Sequence, residues 1–166
     1  LFLQADSGAL RLLALVPLDG DREPLARVAE RDGLVFTDDS VEVYLETPAK
    51  ELYQIVVNAA GTVADYRDGS VLWNSTVSAV TGRADGSSLP PAWELAGTRF
   101  WLLEAALPWA DLGLAGPRPG LVLRLNVGVN RPSPWAVLAP TSSGPYAQVD
   151  RFCEVSGYSR GELIGH

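Results

Sequence analysis

Hydrophobic and polar residues alternate along most of this chain, in short runs separated by turn-forming residues. The clearest run is "GLVLRLNVGVNR", residues 120–131. Every second position of this run is apolar, at Leu121, Leu123, Leu125, Val127 and Val129. Because the side chains of a strand point alternately to its two faces, the pattern predicts a strand with one apolar face.

Similar runs recur along the chain and are separated by Gly, Pro, Asp and Ser. They are "LFLQAD", "LRLLALVPL", "SVEVYLE", "LYQIVVN", "TVADYR", "VLWNSTVSAV", "RFWLLEAALP", "WAVLA" and "RFCEV". The first two flank Asp6, Ser7 and Gly8 and predict an opening hairpin. Many short strands at this spacing predict an all-β fold, an antiparallel β-sandwich.

The segments between these runs predict loops and short turns. Residues 21–33 are charged and contain Pro24, which indicates a loop with one short helix. "TGRADGSSLPP", residues 81–91, is rich in Gly, Ser and Pro and indicates a long loop. "WADLG" predicts one helical turn that ends at Gly113.

If the apolar faces form the core, the opposite faces form a polar sheet surface. Its predicted members are Glu42, Tyr44, Gln54, Asn58, Glu104, Arg124, Asn126 and Asn130. One interpretation is a solvated outer face, since antiparallel sheets usually expose one side to water. Amides are poor strand formers, however, so their enrichment favours a hydrogen-bonding surface for hydroxyl-rich ligands.

Composition and charge limit the classes of protein to which this chain can belong. The chain has 166 residues, 47% of them hydrophobic and 20% charged, which suits one globular domain. A net charge of −7 argues against nucleic acid as a partner, because a phosphate backbone requires a basic face. The longest apolar run is far too short to insert into a membrane. Cys153 is the lone cysteine, so an internal disulfide is excluded.

The order of several motifs resembles the family 9 carbohydrate-binding modules and their wider relatives. The motifs are "DDSVEVYLE", "YQIVVNAAGTVADYR", Trp73, "FWLLEAALPWADLG", "LRLNVGVNR" and a final "PW". The resemblance covers about Leu1 to Phe152 and implies a β-sandwich of jelly-roll type without a catalytic centre. It also implies an exported, multidomain parent protein, extracellular or periplasmic. The opening G-x-x-D-x-x-W segment of the family is absent, so we expect that the N-terminal segment of the domain is missing.

The resemblance assigns several ligand-binding residues. It places an aromatic clamp around the sugar at Phe36 and Tyr146, and a hydrogen-bonding carboxylate at Glu42. The arginine that the family uses on the next strand falls on Val56, which cannot replace it, and Arg124 is the remaining candidate donor on the same face. With the polar strand face, the full predicted ligand-binding set is Phe36, Glu42, Asn58, Arg124, Asn126, Asn130 and Tyr146.

The acidic residues around the "DDSVE" motif allow two other interpretations. Asp38, Asp39 and Glu42 could contribute to a structural calcium site, although no recognised calcium-loop spacing is present. The alternative is a negatively charged start of a strand, with no cofactor. Glu42 and Glu104 could also form the carboxylate pair of a jelly-roll glycoside hydrolase, but no catalytic motif accompanies them. We therefore expect a binding module and not an enzyme.

The C-terminal stretch "DRFCEVSGYSRGELIGH" resembles the early helical part of PAS sensor domains. This resemblance covers residues 150–166 and implies a sandwich domain over residues 1–155, followed by a tail, 156–166, that starts another domain. It supports an alternative function, a ligand-sensing input domain of a signalling protein whose ligand need not be a sugar. The primary expectation is a non-catalytic glycan-binding module, covalently linked to neighbouring domains.

Overall fold

The computed structural model describes residues 1–91, 94–131, 136–137 (backbone only) and 148–156. Ten β-strands lie in these ranges. They are β1 (Phe2–Ala5), β2 (Ala9–Pro17), β3 (Ser40–Glu46), β4 (Leu52–Asn58), β5 (Val63–Arg67), β6 (Ser78–Asp85), β7 (Arg99–Pro108), β8 (Leu123–Asn130), β9 (Ala136–Val137) and β10 (Cys153–Val155). The described ranges contain no α-helix, only 3₁₀ turns at Val35–Thr37, Gly86–Ser88, Trp109–Leu112 and Val149–Arg151.

The strands form two antiparallel sheets. The back sheet has the order β1-β2-β7-β6, and the front sheet has the order β10-β8-β3-β4-β5, with the short β9 also paired to β8. The chain changes sheet in the connections β2 to β3, β5 to β6 and β7 to β8. The predicted all-β antiparallel sandwich is confirmed, as is the β1–β2 hairpin.

The core lies between the sheets and is built from the apolar faces that the alternation predicts. Leu121, Leu123, Leu125 and Val127 are buried in one cluster with Tyr53, Ile55, Val57, Trp101, Leu103 and Leu107. The helical turn predicted after β7 is the 3₁₀ turn Trp109–Leu112, and it ends at Gly113 with φ 65°. A left-handed residue that ends a turn favours glycine, because glycine has no Cβ to clash there.

The strand predicted at residues 71–80 is wrong in position. The strand is Ser78–Asp85, so it extends into the segment predicted as a loop, and residues 71–77 are not a strand. Among the described strands, β6 lies at the edge of the back sheet and pairs with β7, from Ser78 opposite Ala106 to Asp85 opposite Arg99. Its position is therefore set by pairing with β7 and not by its own hydrophobic pattern.

The long connection before β3 also differs from the prediction. We call residues 21–39 the crossover segment, and residues 21–33 within it contain no helix. Val28 and Val35 of this segment pack against Val56, Ala64 and Tyr66 on the outer face of the front sheet. The segment thus covers one end of that face with a second, small apolar cluster.

The C-terminal tail falls outside the described residues beyond Ser156, and with it the PAS-like segment. "RFCEV" contains the predicted closing strand, β10, which pairs with β8 from Cys153 opposite Leu125 to Val155 opposite Leu123.

Candidate functional site

The candidate site is the part of the outer face of the front sheet that lies beyond the crossover segment. We call this surface the front face; it consists of Glu42, Tyr44, Gln54, Arg124, Asn126 and Asn130. The strand register brings these residues together, because Tyr44 of β3 lies between Gln54 of β4 and Asn126 of β8. Their alternation with core residues puts all six on the side away from the sandwich interior.

Glu42 is held in place by three side chains of the front face. Its carboxylate accepts hydrogen bonds from Gln54 Nε2 at 2.7 Å, from the Tyr44 hydroxyl at 3.2 Å and from Asn130 Nδ2 at 3.4 Å. The residue is only 6% exposed. Burial raises the pKa of Glu42, although the three hydrogen bonds oppose the shift. Glu42 is therefore a buried acceptor, and its donors among the described residues are all neutral.

Arg124 lies farther along the same face, directly opposite Glu46. Its Nη1 is 3.4 Å from Glu46 Oε2, and Lys50 Nζ is 3.3 Å from the same oxygen. The Arg124 Nε is buried and has no hydrogen-bond partner in the described part of the chain. The guanidinium thus keeps one unused donor on the side chain that the sequence suggested as a ligand donor.

Asn126 and Asn58 are completely closed to solvent. The Asn126 Oδ1 accepts a hydrogen bond from Val127 N at 3.0 Å. Asn58 Nδ2 donates to Val28 O at 2.8 Å and to Asp38 Oδ2 at 2.9 Å, while its Oδ1 accepts from the backbone N–H groups of residues 60 and 62. Asn58 therefore attaches the crossover segment to β4, and we correct its predicted ligand contact to a structural role. Asn126 is equally buried, so its predicted ligand contact is corrected as well.

The crossover segment is also held by two buried aspartates. Asp38 Oδ2 accepts from the backbone N–H groups of Arg27 and Val28, both at 2.9 Å. Asp39 Oδ2 accepts from Leu25 N at 2.6 Å and forms an ion pair with Arg22. Burial would raise the pKa of Asp38, but the hydrogen bonds from Val28, Arg27 and Asn58 outweigh it and lower the pKa.

These contacts do not fit the calcium site considered for Asp38, Asp39 and Glu42. Calcium requires six or more oxygen ligands, whereas the carboxylate oxygens here face N–H donors. Among the described residues, no group of three or more acidic, histidine or cysteine side chains is placed to hold a metal ion. The aspartates instead serve as hydrogen-bond acceptors for the crossover segment.

Phe36 lies on the 3₁₀ turn Val35–Thr37, at the end of the crossover segment. Val35 is fully buried, whereas Leu34 and Phe36 on either side are 64% and 45% exposed. The turn is therefore anchored by Val35 and presents the Phe36 ring to solvent. Tyr146, the predicted partner ring, lies outside the described residues. Val56, where the resemblance expects an arginine, is fully buried under the crossover segment.

Glu104 does not belong to the front face, and its predicted place there is wrong. It lies on β7 of the back sheet, opposite Leu13 and Val80, and its side chain is exposed on the outer side of that sheet. Glu42 and Glu104 thus point away from each other on opposite outer faces of the sandwich. The predicted hydrolase pair cannot flank one glycosidic bond, since such carboxylates must lie within about 10 Å of each other.

One buried polar network was not predicted from the sequence. Asp65 is fully buried; its carboxylate pairs with Arg31 and accepts from Ser75 N at 3.0 Å and Ser75 Oγ at 2.6 Å. The sequence contained a signal for this network in its strand alternation. Asp65 is two positions after Val63, so the two side chains share the inward face of β5. An inward-pointing charge on an edge strand such as β5 discourages pairing with another chain.

Comparisons with known proteins support the fold. No family model matches the chain, and no curated protein sequence matches it. The structure is similar to that of "a putative carbohydrate-binding protein from Bacteroides uniformis", with a TM-score of 0.64 and 16% sequence identity. The match covers 89% of this chain and 72% of the Bacteroides chain. At this identity the likeness establishes a shared sandwich fold.

The described ranges contain no helix that has both the length and the apolar character needed to cross a bilayer.

Proposed function

We propose that this domain is a non-catalytic glycan-binding module that binds sugars at the front face, next to Phe36. The proposal combines the polar front face, the sequence resemblance to family 9 carbohydrate-binding modules and the fold shared with the Bacteroides protein. The exported location follows from the sequence resemblance and remains a prediction.

The observation that carries this proposal is the arrangement of Glu42. Three neutral donors fix the orientation of the carboxylate before any ligand arrives, so a sugar hydroxyl meets an acceptor that needs no reorganisation. Hydrogen bonds to a charged acceptor are stronger than those between neutral groups. A fixed carboxylate among amides is thus suited to recognising hydroxyl groups.

Phe36 supplies the apolar part of the surface. Its ring is exposed, although large aromatic side chains are usually buried where they serve the core. An exposed ring held by a buried neighbour can stack on the C–H face of a sugar with little loss of conformational entropy.

The arrangement does not support hydrolysis. The other carboxylate on this side of β3 is Glu46, four residues beyond Glu42, which corresponds to roughly 13 Å along a strand. Glu46 is also engaged by Arg124 and Lys50. Most glycoside hydrolases use two carboxylates that lie within about 10 Å of each other.

A binding screen with purified protein and immobilised glycans tests the proposal, followed by calorimetry on the best ligand. We expect Phe36→Ala to weaken binding about fivefold, from the loss of about 1 kcal/mol of stacking. Leu72→Ala is the matched control, because Leu72 is an exposed apolar side chain outside the front face. Absence of binding to any glycan, or equal losses in the two variants, would contradict the proposal.

A further inference from the structure

Two carboxylates next to the front face are each neutralised by a nearby cation. Asp39 at the start of β3 pairs with Arg22. Glu46 at the end of the same strand lies within ion-pair distance of Arg124 and Lys50. Their charges are therefore compensated within the domain.

Glu42 lies between these two carboxylates, and none of the described residues compensates its charge in this way. Its partners Gln54, Tyr44 and Asn130 carry no charge, and no ion pair of Glu42 occurs among the described residues. Its direct cross-strand neighbours are Val56 and Gly128, which are also uncharged. A buried carboxylate surrounded by neutral groups acts on its surroundings with little screening.

The charge of Glu42 acts on Tyr66, which lies two strands away in the front sheet. Tyr66 of β5 lies directly opposite Gln54, on the same side of the front sheet. Burial raises the pKa of Tyr66, and the charges of Asp32, Glu42 and Asp65 add to the increase. The acidic side chains that act on Tyr66 are in keeping with the net charge of −7.

We infer that the front face accepts neutral and amino-bearing sugars and excludes sugars that carry carboxylates, with Glu42 as the residue that discriminates. This inference rests on the proposed glycan-binding function and specifies its ligand class. A hydroxyl or ammonium group of the ligand can donate a hydrogen bond to Glu42. A ligand carboxylate offers only acceptors, and it would place a second negative charge beside one that is already buried and unpaired.

The test compares three tetrasaccharides with the same β-1,4-linked gluco backbone. The neutral one is cellotetraose, the amino-bearing one is the glucosamine tetramer, and the acidic one is the glucuronic acid tetramer. The calorimetry is done in 1 M NaCl, where the Debye length is about 3 Å. This salt concentration reduces the effect of the protein's net negative charge on the binding of the charged ligands. We expect the acidic ligand to bind at least about tenfold more weakly than the neutral one. The amino-bearing ligand should bind at least as tightly as the neutral one.

Two variants, each with one negative charge removed, show whether Glu42 causes the difference in binding between the neutral and acidic ligands. Glu42→Gln should reduce the difference between the neutral and acidic ligands to about threefold or less. Glu104→Gln, on the outer side of the back sheet, should leave that difference unchanged. Thermal unfolding of both variants checks that they are folded.

The outcomes separate this inference from the proposal on which it depends. If no tetrasaccharide binds and the wider glycan screen is also empty, the proposed function and the inference both fail. If the neutral ligand binds and the acidic one binds within about twofold of it, the function stands and the inference is wrong. The inference is also wrong if the preference of the wild type survives in Glu42→Gln. The wild-type comparison decides the matter even if Glu42→Gln does not fold.

Discussion

At the scale of single residues, Glu42 differs from the other buried acids of this domain. Asp38 has a lowered pKa because N–H donors surround it, whereas burial raises the pKa of Glu42 against three neutral hydrogen bonds. A carboxylate that is buried without a cation lowers stability, and such groups are frequent at functional sites. The same chemical group therefore has a structural role at Asp38 and a proposed binding role at Glu42.

The raised pKa of Glu42 predicts a pH-dependent effect of Glu42→Gln on stability. Between the ordinary pKa of 4.5 and the raised value, the native state binds more protons than the unfolded state. The contribution of Glu42 to the free energy of unfolding therefore falls as pH rises through that window. The stability of Glu42→Gln relative to wild type should therefore be higher at pH 8 than at pH 4.

Urea unfolding at the two pH values measures this difference. Glu104→Gln makes the same change of net charge at an exposed position and corrects for general charge effects. If the effect of Glu42→Gln does not change between pH 4 and pH 8, the carboxylate is not held in the environment that we describe.

At the scale of elements, the contacts that hold the crossover segment in place also position part of the candidate site. Residues 21–39 are irregular, and they are held by the carboxylates of Asp38 and Asp39, by the amide of Asn58 and by the buried Val35. These contacts fix the turn that presents Phe36. The position of the proposed stacking ring thus depends on the buried polar residues Asp38, Asp39 and Asn58.

Replacing Asp38 with alanine should destabilise the domain by about 3 kcal/mol. The change leaves the N–H groups of Arg27 and Val28 and the amide of Asn58 without their shared acceptor. Since the folded-state pKa of Asp38 is lowered, the charge-dependent part of its contribution is present above the ordinary pKa of 3.8. That part is lost as pH falls through the folded value.

Chemical denaturation at pH 7 and at pH 3 measures both effects. Asp21→Asn is the control, because this side chain lies in the same segment and is fully exposed. A loss below about 0.5 kcal/mol at pH 7 for Asp38→Ala would show that the hydrogen bonds do not hold the segment.

Alternation within the sequence predicted the faces of strands well, because the period of two is a local property of the backbone. It could not decide to which sheet a strand belongs, so Glu104 was grouped with Glu42 although β7 lies in the other sheet. It also could not show that the crossover segment folds over β4. Because of this contact, Asn58 is a buried amide and not the surface amide that the alternation predicted. Sheet membership and loop contacts depend on residues distant in sequence, which a local pattern does not report.

At the scale of the whole molecule, the sandwich is organised by one core shared between the sheets. Trp101 and Leu103 of the back sheet are buried in the same cluster as Leu123 and Leu125 of the front sheet. The front face lies on the opposite side of the front sheet, so its residues can change without opening the core. The sequence predicted the apolar core faces and placed Glu42 on a polar strand face, whereas the hydrogen bonds around Glu42 became clear only from the strand register.

The predicted domain boundary leads to a truncation experiment. Residues 157–166 contain one pair of adjacent aliphatic residues, Leu163 and Ile164, so they have little apolar area with which to stabilise the sandwich. Removing 157–166 should change the free energy of unfolding by less than about 0.5 kcal/mol.

A longer truncation, which ends the chain after Arg151, serves as the comparison. It removes β10 and the buried Phe152, whose ring centroid lies 6.2 Å from that of Tyr44, and should destabilise the domain by about 3 kcal/mol or more. A loss of more than about 2 kcal/mol on removing 157–166 alone would place the tail within the sandwich domain and contradict the predicted boundary.

The central claim is that the front face binds a glycan, and mapping of backbone amide chemical shifts tests it most directly. The protein, labelled with ¹⁵N, is titrated with the glycan that binds best in the screen. We predict that the largest shifts occur at Phe36, Glu42, Tyr44 and Asn130, with none at Val80 or Glu104 on the back sheet. Shifts that cluster on the back sheet, or no shifts at saturating glycan, would contradict the account.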